Sequence, residues 1–375
     1  MGENKIKKKL AIICADVAHV SLVNKAKEMG IETHCFAWKK EKKYYVCEGI
    51  ADYFHPISIL EKEQILEVCK EIKIDGVISK QNLHAVPTVC YIAEKMGLNG
   101  NRYEDTFIAG NKYSARQAFL KNGANSPRFV VVQKGQIPDL TGIRFPLIIK
   151  PTDGGNRQGV MKVDTENELQ EALLRAQQSS FTGQVIIEEF ITGSEVLVDS
   201  ISCNGKHFIS AIKDKVTSGA PYFMDMGYNM PSQLSRSTIA KIEVELGKAL
   251  DALHFKYGES HSDLMISEDG EVYVIEVNSC SNNDESYDMI QHSTGLDFLK
   301  IAIKLALGYW EDPVIVPRYY SGLYYLCEGN EWVKQVIENK DHDPDIVDAV
   351  LYDEEFLGRR GHFIYKSNRK RTWGN

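Results

Sequence analysis

Two acidic residues and an asparagine near Asp269-Gly270 are the residues whose spacing says most about chemistry. A two-residue Asp-Gly turn is typical of a β-hairpin and fixes which residues face each other across it. With Asp269 and Gly270 as the turn, Asp263 faces Glu276, and Asn278 lies on the same face because side chains alternate along a strand. Facing side chains lie about 4.5–5.5 Å apart, so two carboxylates repel there unless a cation lies between them. The spacing therefore predicts a Mg²⁺ site formed by Asp263, Glu276 and Asn278, because Mg²⁺ binds carboxylates together with substrate phosphates.

A solvated hairpin with two exposed acids is the alternative interpretation of the same residues. Glu276, however, lies within the apolar run Val272–Asn278, which we expect to be largely buried. An unpaired carboxylate is unfavourable in such surroundings. We therefore favour the metal site.

A lysine followed by a glycine-rich loop is the second feature. The apolar run Pro146–Ile149 predicts a buried strand that ends at Lys150, and the loop after it contains Gly154, Gly155 and Gly159. Glycines allow backbone N–H groups to close over phosphate oxygens, and the lysine adds a point charge. The pattern suits a phosphate site, although Gly-Gly turns more often only reverse a strand.

A second apolar strand ends in acidic residues. The segment Val185–Ile191 contains Glu188 and Glu189 and is followed by Glu195. A strand that turns outward offers backbone groups to the edge of an adenine and acidic groups to amino and hydroxyl donors. Taken by itself, the segment is equally well interpreted as a loop with ordinary surface acids.

Short apolar runs alternate with helical periods in the first hundred residues. The predicted strands and helices are Leu10–Cys14, Ser21–Met29, Glu32–Phe36, Glu61–Glu71, Gly76–Ser79 and Asn82–Met96. Such alternation predicts a parallel α/β sheet. Residues 15–19, which follow the first strand, contain no G-x-G-x-x-G motif, so we expect the nucleotide to bind elsewhere.

The chain becomes richer in strands after residue 112, which predicts an α+β unit. Its predicted elements are the helix Ala115–Asn122 and the strands Phe129–Val132, Leu147–Lys150, Val160–Val163, Val185–Glu189, Val196–Ser202 and His207–Ile212. We expect a loop over Val216–Ser235, which is rich in Gly, Pro, Met and Ser. Short strand-like runs after Pro313 predict a small C-terminal cap.

The composition narrows the class of protein. The chain has 375 residues, 43% of them hydrophobic and 26% charged, which are ordinary globular values. Its formal net charge of -8 argues against a nucleic acid as partner, since a polyanion attracts an excess of Lys and Arg. The eight cysteines include no C-x-x-C pair, so we expect reduced thiols in a cytoplasmic protein. No apolar run approaches the roughly 18 residues of a membrane helix, so we expect no membrane partner.

These features occur in an order that resembles the ATP-grasp superfamily, especially its carboxylate–amine ligases of the biotin-carboxylase-like and amino-acid-ligase-like branches. The resemblance spans essentially the whole chain. Its most specific parts are Lys150-Pro151 with the Gly154–Gly159 loop, Glu188–Ile191 with Glu195, and Asp263 with Glu276-Val277-Asn278.

The resemblance implies roles for the lysines and for the acids of the hairpin. Lys112 and Lys150 match two lysines that contact the phosphates of ATP, beneath the glycine-rich loop. Asp263, Glu276 and Asn278 match the residues that hold two Mg²⁺ ions between those phosphates, and Mn²⁺ can substitute for Mg²⁺. The cofactors implied are thus ATP and Mg²⁺.

The resemblance also implies an adenine and ribose site. The segment from Glu188 to Ile191, with Glu189 inside it, matches the hinge against which adenine packs. Ile191 would offer its backbone, and Glu188 would accept from the adenine amino group. Glu195 matches the residue that binds the ribose hydroxyls.

One position departs from the family pattern. Many relatives carry an arginine two residues after Glu-x-Asn, where it neutralises the acyl phosphate, but this chain has Cys280 there. Arg157 is our candidate for a catalytic replacement alongside Lys150, with a surface arginine of no special role as the alternative. Cys280 has no neighbouring histidine in the sequence and is not expected to be a nucleophile. Met224–Leu234 resembles the loop that borders the acceptor pocket in amino-acid-ligase-like members, or is a plain connection.

The resemblance completes a prediction of fold and function. We expect an N-terminal α/β pre-ATP-grasp domain at 1–110, an ATP-grasp domain at 111–312 with a lid at about 127–200, and a small C-terminal segment at 313–375. The enzyme would join a small carboxylic acid to an amine through an acyl phosphate, with ADP and phosphate as products. A carboxylating or carbamoyl-phosphate-forming enzyme and a catalytically silent ATP-binding protein are the alternatives. A homodimer is left open.

Overall fold

The N-terminal part of the chain forms a four-stranded parallel sheet, as the sequence predicts. The computed structural model describes residues 7–155, 157–220, 223–280 and 283–373. The strand order in this sheet is β3-β2-β1-β4. Its strands and helices are β1 (Lys9–Ile13), α1 (Val20–Glu28), β2 (Glu32–Phe36), β3 (Tyr53–His55), α2 (Lys62–Ile72), β4 (Gly76–Ile78) and α3 (Val86–Met96).

Strand β1 is apolar throughout because helices cover both faces of its sheet. Leu10 and Ile12 pack with residues of α1, whereas Ala11 and Ile13 pack with residues of α2 and α3. A helix from much later in the chain, α9 (Phe298–Ala306), lies against the Leu10 side. A Cβ atom at Gly76 would lie 2.5 Å from the carbonyl oxygen of Ala306, so glycine permits this close packing.

A second, smaller sheet follows two helices, α4 (Thr106–Ala109) and α5 (Lys112–Asn122). It is antiparallel, with strand order β5-β8-β6-β7. Its elements are β5 (Phe129–Val132), β6 (Leu147–Pro151), β7 (Met161–Val163), α6 (Glu166–Gln178) and β8 (Val185–Glu189). Helix α6 covers one face through a small core that includes Leu147, Ile149, Leu169 and Ala172.

The remaining strands form one antiparallel sheet of eight strands, in the order β13-β12-β9-β10-β11-β14-β16-β15. The strands of the C-terminal segment therefore extend the sheet that contains the hairpin acids. Its strands are β9 (Gly193–Cys203), β10 (Lys206–Thr217), β11 (Asp225–Met230), β12 (Gly258–Ser267), β13 (Val272–Asn278), β14 (Tyr320–Cys327), β15 (Ile346–Phe356) and β16 (Arg359–Ser367). The helices that connect or flank them are α7 (Arg236–Ala252), α8 (Asp284–Thr294), α9 and α10 (Trp332–Glu338). No described helix has the length and apolar character needed to cross a membrane.

The two faces of the large sheet have different partners. One face, with Val196, Leu264 and Val274, packs against α5 and α7. The opposite face, with Leu197 and Ile201, packs in part against α8 and α9. Side chains alternate along a strand, so the second face also carries the polar residues at odd positions of β9 and β12.

The loop predicted at Val216–Ser235 contains a strand, and that prediction was wrong. Strand β11 pairs with β10 on one side and β14 on the other. Its sequence includes Gly227 and Asn229, which have low strand propensity, so the sequence alone gave little sign of it. A Cβ atom at Gly227 would lie 2.8 Å from the carbonyl oxygen of Leu323, so the neighbouring strand accounts for the glycine.

Candidate active site

The β12–β13 hairpin brings Asp263 opposite Glu276, although its turn differs from the one predicted. The Ser267 N–H donates to the Glu271 carbonyl oxygen at 2.9 Å, and the Gly270 N–H donates to the Ser267 carbonyl oxygen at 2.9 Å. These bonds enclose a three-residue turn, so the prediction of a two-residue turn was wrong. Near the turn, the pairs are therefore displaced by one residue from the predicted register. An irregularity between Asp263 and Leu264 then restores the predicted pairing of Asp263 with Glu276.

The three predicted metal ligands lie on one face of the hairpin. Asn278 is two residues beyond Glu276 and pairs with His261, which is two residues before Asp263. Glu276 forms an ion pair with Lys112 at 2.9 Å between Oε1 and Nζ. Burial would raise the pKa of Glu276, but Lys112, Lys150 and Arg116 outweigh it and hold that pKa at about 2. Glu276 is therefore ionised at neutral pH, as a metal ligand has to be.

Asp263 belongs to a group of three acids that surround one lysine, which we call the acid cluster. The Lys215 Nζ atom lies 2.6 Å from Glu195, 2.7 Å from Asp263 and 3.2 Å from Asp225. Burial would lower the pKa of Lys215, but the three carboxylates raise it well above its ordinary value. The lysine thus stays charged and keeps the three carboxylates close together.

Lys215 and Asp225 did not follow from the sequence. The available signal was the pair Lys213 and Lys215, which stand at alternate positions of β10 and so share a face. Asp225 gave no such signal because β11 was not recognised as a strand.

Arg157 reaches the acid cluster from the glycine-rich loop. Its guanidinium lies 2.6 Å from Asp225, and Arg359 of β16 lies 3.9 Å from the same carboxylate. Burial would raise the pKa of Asp225, but Lys215, Arg157 and Arg359 lower it to about 2. Two arginines from distant parts of the chain therefore converge beside the predicted metal ligands.

Lys150 and Glu188 lie deeper, in a second ionic group that we call the buried triad. Glu188 is paired with Lys150 at 2.6 Å and with the Arg116 Nε atom at 2.8 Å. Arg116 also donates to the carbonyl oxygen of Ile275, next to Glu276, at 2.6 Å. Burial lowers the pKa of Lys150, with Arg116 and Lys112 adding to the effect and Glu188 opposing it. The sequence gave no sign of Arg116.

The glycine-rich loop is joined to Lys112. The Lys112 ammonium donates to the carbonyl oxygen of Gly154 at 2.7 Å, and its backbone N–H donates to Thr152 at 2.8 Å. Gly159 has a φ of +72°, and a Cβ atom there would lie 2.7 Å from the Cβ atom of Ser179, so glycine is required. A Cβ atom at Gly155 would meet open space, so packing does not require a glycine at that position.

The residues predicted to bind adenine and ribose are not all on one face. Glu189 follows Glu188 on β8, so its side chain points to the opposite side, where it accepts from the Arg144 N–H at 3.2 Å. Ile191 lies just after the strand, before β9 begins at Gly193. Glu195 lies in the acid cluster rather than beside Glu188.

A separate group of possible ligating atoms lies in the N-terminal sheet. Cys14, Asp16 and His19 place one such atom each within 4.8 Å of the others. His19 Nδ1 lies 2.6 Å from Asp16, and its Nε2 accepts from the Lys80 N–H at 3.1 Å. Both ring nitrogens are therefore in use, and burial raises the pKa of the Cys14 thiol to about 12. These contacts describe a structural network that connects β1 with β4.

The donor set of Asp263, Glu276 and Asn278 suits Mg²⁺. All three offer oxygen ligands, which hard divalent cations prefer. In the structure, lysines pair with the two carboxylates. A metal ion bound at this face would take over the role of that positive charge. The surrounding lysines also suit a polyphosphate ligand.

A comparison with known protein families identifies the central part of the chain. The family model of the ATP-grasp domain matches residues 143–286, which contain the glycine-rich loop, the acid cluster and the β12–β13 hairpin. The resemblance to the ATP-grasp superfamily drawn from the sequence is thereby confirmed for this central part of the chain.

Curated relatives are similar over part of their length. A D-alanine–D-alanine ligase of Parabacteroides distasonis is 29% identical over 45% of this chain and 53% of its own length. A carbamoyl phosphate synthase large chain of Thermoanaerobacter pseudethanolicus is 24% identical over 68% of this chain and 24% of its own length. The chain thus spans about half or less of the length of these two relatives.

Solved structures are similar over nearly the whole chain. An L-amino acid ligase from Bacillus licheniformis covers 98% of this chain and 95% of its own, with a TM-score of 0.78 and 24% identity. N5-Carboxyaminoimidazole synthetase from Staphylococcus aureus, complexed with ADP, covers 98% and 96% with a TM-score of 0.77 and 15% identity. The biotin carboxylase domain of Hydrogenobacter thermophilus 2-oxoglutarate carboxylase, in complex with MgADP, covers 96% and 86% with a TM-score of 0.73 and 16% identity. At these identities the similarity establishes the fold.

Proposed function

We propose that the protein is an ATP-dependent ligase that joins a small carboxylic acid, such as an amino acid, to an amine through an acyl phosphate. The observation that supports this most is the face shared by Asp263, Glu276 and Asn278, with Lys112 on Glu276 and Lys215 on Asp263. Carboxylates for a divalent cation and lysines for phosphate oxygens thus lie side by side. This combination is what phosphoryl transfer from ATP requires.

Asp263, Glu276 and Asn278 are the residues that would hold two Mg²⁺ ions in this proposal. When bound, Mg²⁺ polarises phosphoryl oxygens and offsets the charge that develops on them. Lys112 and Lys150 act on the same charge as fixed cations. The Lys150 ammonium has three donor protons, so its bond to Glu188 leaves others for a phosphate.

The position of these cations determines which phosphorus atom is attacked. Gathered around the terminal phosphates, they favour attack of the substrate carboxylate on the γ-phosphorus, so the new C–O–P linkage forms as the bond to ADP breaks. The amine then attacks the acyl carbon, and phosphate leaves. The Gly154–Gly159 loop, at the edge of the small sheet, would exclude water from the acyl phosphate during this interval.

Arg157 and Arg359 are the cations we assign to the place left by Cys280. Both guanidiniums approach Asp225, and Asp225 also approaches Lys215 of the acid cluster. Burial raises the pKa of Cys280 to about 12, with Glu259 and Glu276 adding to the effect. The thiol is therefore protonated at neutral pH, and the mechanism uses no covalent enzyme intermediate.

The test is a screen for ADP release over amino acids, singly and in pairs, with hydroxylamine as a trap. The correct acid without its amine should give ADP and a hydroxamate, because an activated acyl group reacts with any small nucleophile that enters. Glu276→Gln should give neither product, and Glu271→Gln, which changes an exposed acid at the start of the same hairpin strand, should behave as wild type.

Other products would point to other functions. AMP and pyrophosphate would contradict an ATP-grasp mechanism. Bicarbonate-dependent ADP release without a hydroxamate would indicate a carboxylating or carbamoyl-phosphate-forming enzyme. ATP binding without any turnover over the whole screen would indicate a silent ATP-binding protein.

A further inference from the structure

A cavity lies between the N-terminal sheet and the large sheet, beside the face that carries the predicted metal ligands. Its volume is about 100 Å³, and its walls come from β4, α3, α9 and the ends of β12 and β13. At about 10–15 Å³ for each water-sized group, it has room for roughly seven to ten such groups. The cavity can therefore hold a small organic molecule.

The cavity follows the metal face along the same two strands. Beyond Asp263 and Glu276 comes the His261–Asn278 pair. Two residues further along come Glu259 of β12 and Cys280, which follows the end of β13. His261 Nδ1 lies 3.1 Å from the carbonyl oxygen of Cys280, so the strands remain close at this end. Both Glu259 and Cys280 line the cavity. With about 3.4 Å per residue, the cavity begins roughly 7–14 Å from the acids that would hold the metal.

Much of the cavity wall is apolar, and among the described residues that line it the one carboxyl group, that of Glu259, is buried. The apolar lining includes Val86, Val89, Phe255 and Leu305, and no Lys, Arg or His is among the described residues that line it. Glu259 is 9% exposed, and its Oε1 atom has no hydrogen bond within the described part of the chain. A ligand that donates a hydrogen bond to Glu259 would satisfy this oxygen.

The three asparagines of the wall already have hydrogen-bond partners within the protein. Asn99 donates to the carbonyl oxygen of Leu305 at 3.0 Å, and Asn101 donates to that of Tyr257 at 2.7 Å. Asn82 donates to the sulfur of Cys14 at 3.5 Å, and its carbonyl oxygen accepts from the His84 N–H at 3.0 Å. Glu259 is therefore the group that a ligand would recognise.

We propose that this cavity binds an organic amine with a small apolar body, and that Glu259 pairs with its ammonium group. The inference rests on the proposed function in one respect, since it makes the cavity the amine subsite of the ligase. A carboxylic acid fits less well, because a second carboxylate would face Glu259 and the described residues of the wall include no Lys, Arg or His. The apolar walls and the limited volume favour amines of fewer than about ten non-hydrogen atoms.

The protonation of Glu259 gives the proposal a measurable signature. Burial raises its pKa to about 8, with the hydroxyl of Tyr287 and the ammonium of Lys80 opposing the shift and Asp199 adding to it. Cys280, whose own pKa is raised, faces it as a neutral thiol. Without a ligand, Glu259 is thus largely protonated at pH 7. An ammonium ion that pairs with it would displace about one proton.

The experiment is calorimetric titration of the full-length protein at pH 7 with n-pentylamine and with 1-pentanol, which has the same length and no charge. Each titration is done with and without MgADP, and in two buffers of different ionisation enthalpy. We expect the wild type to bind the amine at least tenfold more tightly than the alcohol and to release about one proton per amine bound.

The matched variants are Glu259→Gln and Glu268→Gln. Glu259→Gln keeps the side-chain volume but cannot pair with an ammonium ion, so we expect the preference for the amine and the proton release to disappear. Glu268 is exposed at the turn of the same hairpin, and Glu268→Gln should behave as wild type.

The proposal is overturned if the wild type binds amine and alcohol equally, binds no amine under either nucleotide condition, or releases no proton. It is equally overturned if Glu259→Gln retains the preference. The wild-type proton release decides the matter even if the variant does not fold. Because these titrations involve no turnover, a preference for the amine in a protein that never forms ADP would contradict the proposed ligase activity and leave the amine site standing.

Discussion

The buried triad and the acid cluster both hold opposite charges together, but they differ in their access to solvent. In the triad, Arg116, Lys150 and Glu188 are 1%, 5% and 2% exposed. In the acid cluster, the side chains of Glu195, Asp225 and Asp263 are 23%, 18% and 21% exposed, although Lys215 at their centre is 2% exposed. The buried triad is therefore shielded from solvent, whereas the carboxylates of the acid cluster retain contact with it.

This difference indicates different tasks. Charges within a low-dielectric interior cannot leave their partners without a large desolvation penalty, so the triad fixes the position of Lys150 and of the strand that carries Glu276. Acids that retain contact with water can exchange a lysine for a metal ion at lower cost. We therefore interpret the triad as a support and the acid cluster, with the Lys112–Glu276 pair, as the part that rearranges around a nucleotide.

Removing a carboxylate from the predicted metal site should have the largest effect on activity. Glu276→Gln removes charge from the predicted metal site at nearly constant volume, so we expect ADP formation to fall by at least about a thousandfold, in line with the several kcal/mol that a bound metal contributes. Asp263→Asn should act similarly. Both variants should remain folded, which circular dichroism checks. Normal turnover in a folded Glu276→Gln protein would rule out the metal assignment.

Removing a cation from the buried triad should mainly affect stability. Arg116→Met leaves Glu188 with one cation instead of two, and removing one partner of a buried ion pair costs about 3–5 kcal/mol. We expect a clear decrease in the urea midpoint, measured by circular dichroism. Arg128→Met, which changes an exposed arginine, is the control and should leave the midpoint unchanged. Equal midpoints for the two variants would show that the triad is not the support we describe.

Substitutions of Lys112 and Lys150, the two lysines predicted to bind phosphate, test the difference between the buried triad and the more exposed part of the site. Lys112→Met should weaken ATP binding by about tenfold, which corresponds to roughly 1.4 kcal/mol, and should lower the unfolding midpoint less than Lys150→Met does. Lys150→Met should weaken ATP binding and also lower the midpoint, because Lys150 is a member of the triad. Calorimetric titration with ATP and thermal unfolding of both variants test this. If the two variants have the same effect on stability, the distinction between the groups fails.

The smallest expected effect is on stability in acid. The pKa values of Glu276 and Asp225 are about 2, below the ordinary 4.5 and 3.8. Carboxylates with lowered pKa values stabilise the folded state above their ordinary pKa, and this contribution is lost as the pH falls from about 4.5 to about 2. Glu276→Gln should therefore lose less stability than wild type over this interval, measured as unfolding midpoints at successive pH values. Parallel curves would show that Glu276 is not held ionised by its lysines.

Local patterns in the sequence were sufficient for much of the fold. The alternation of apolar runs and helical periods predicted the parallel N-terminal sheet, because a strand buried on both faces has to be apolar throughout. The pairing of Asp263 with Glu276 was also obtained, although from a two-residue turn that the structure does not contain. The longer turn shifts the register in one direction, and the irregularity after Asp263 shifts it back. The predicted pairing was therefore correct although neither feature was predicted.

The contacts around these residues depended on strands that are far apart in the chain. Arg116 meets Glu188 across 72 positions of the numbering, Lys215 meets Asp263 across 48, and Arg359 approaches Asp225 from the last strand. Strand β11 was missed because its pairing with two neighbours outweighs the weak strand propensity of its glycine and asparagine. The sequence by itself determined the fold class, the resemblance to the ATP-grasp superfamily and the pairing of the hairpin acids, since these depend on local periodicity and motif. Only the tertiary structure decided which cations face those acids and that a cavity closes around Glu259, because both depend on which distant strands become neighbours.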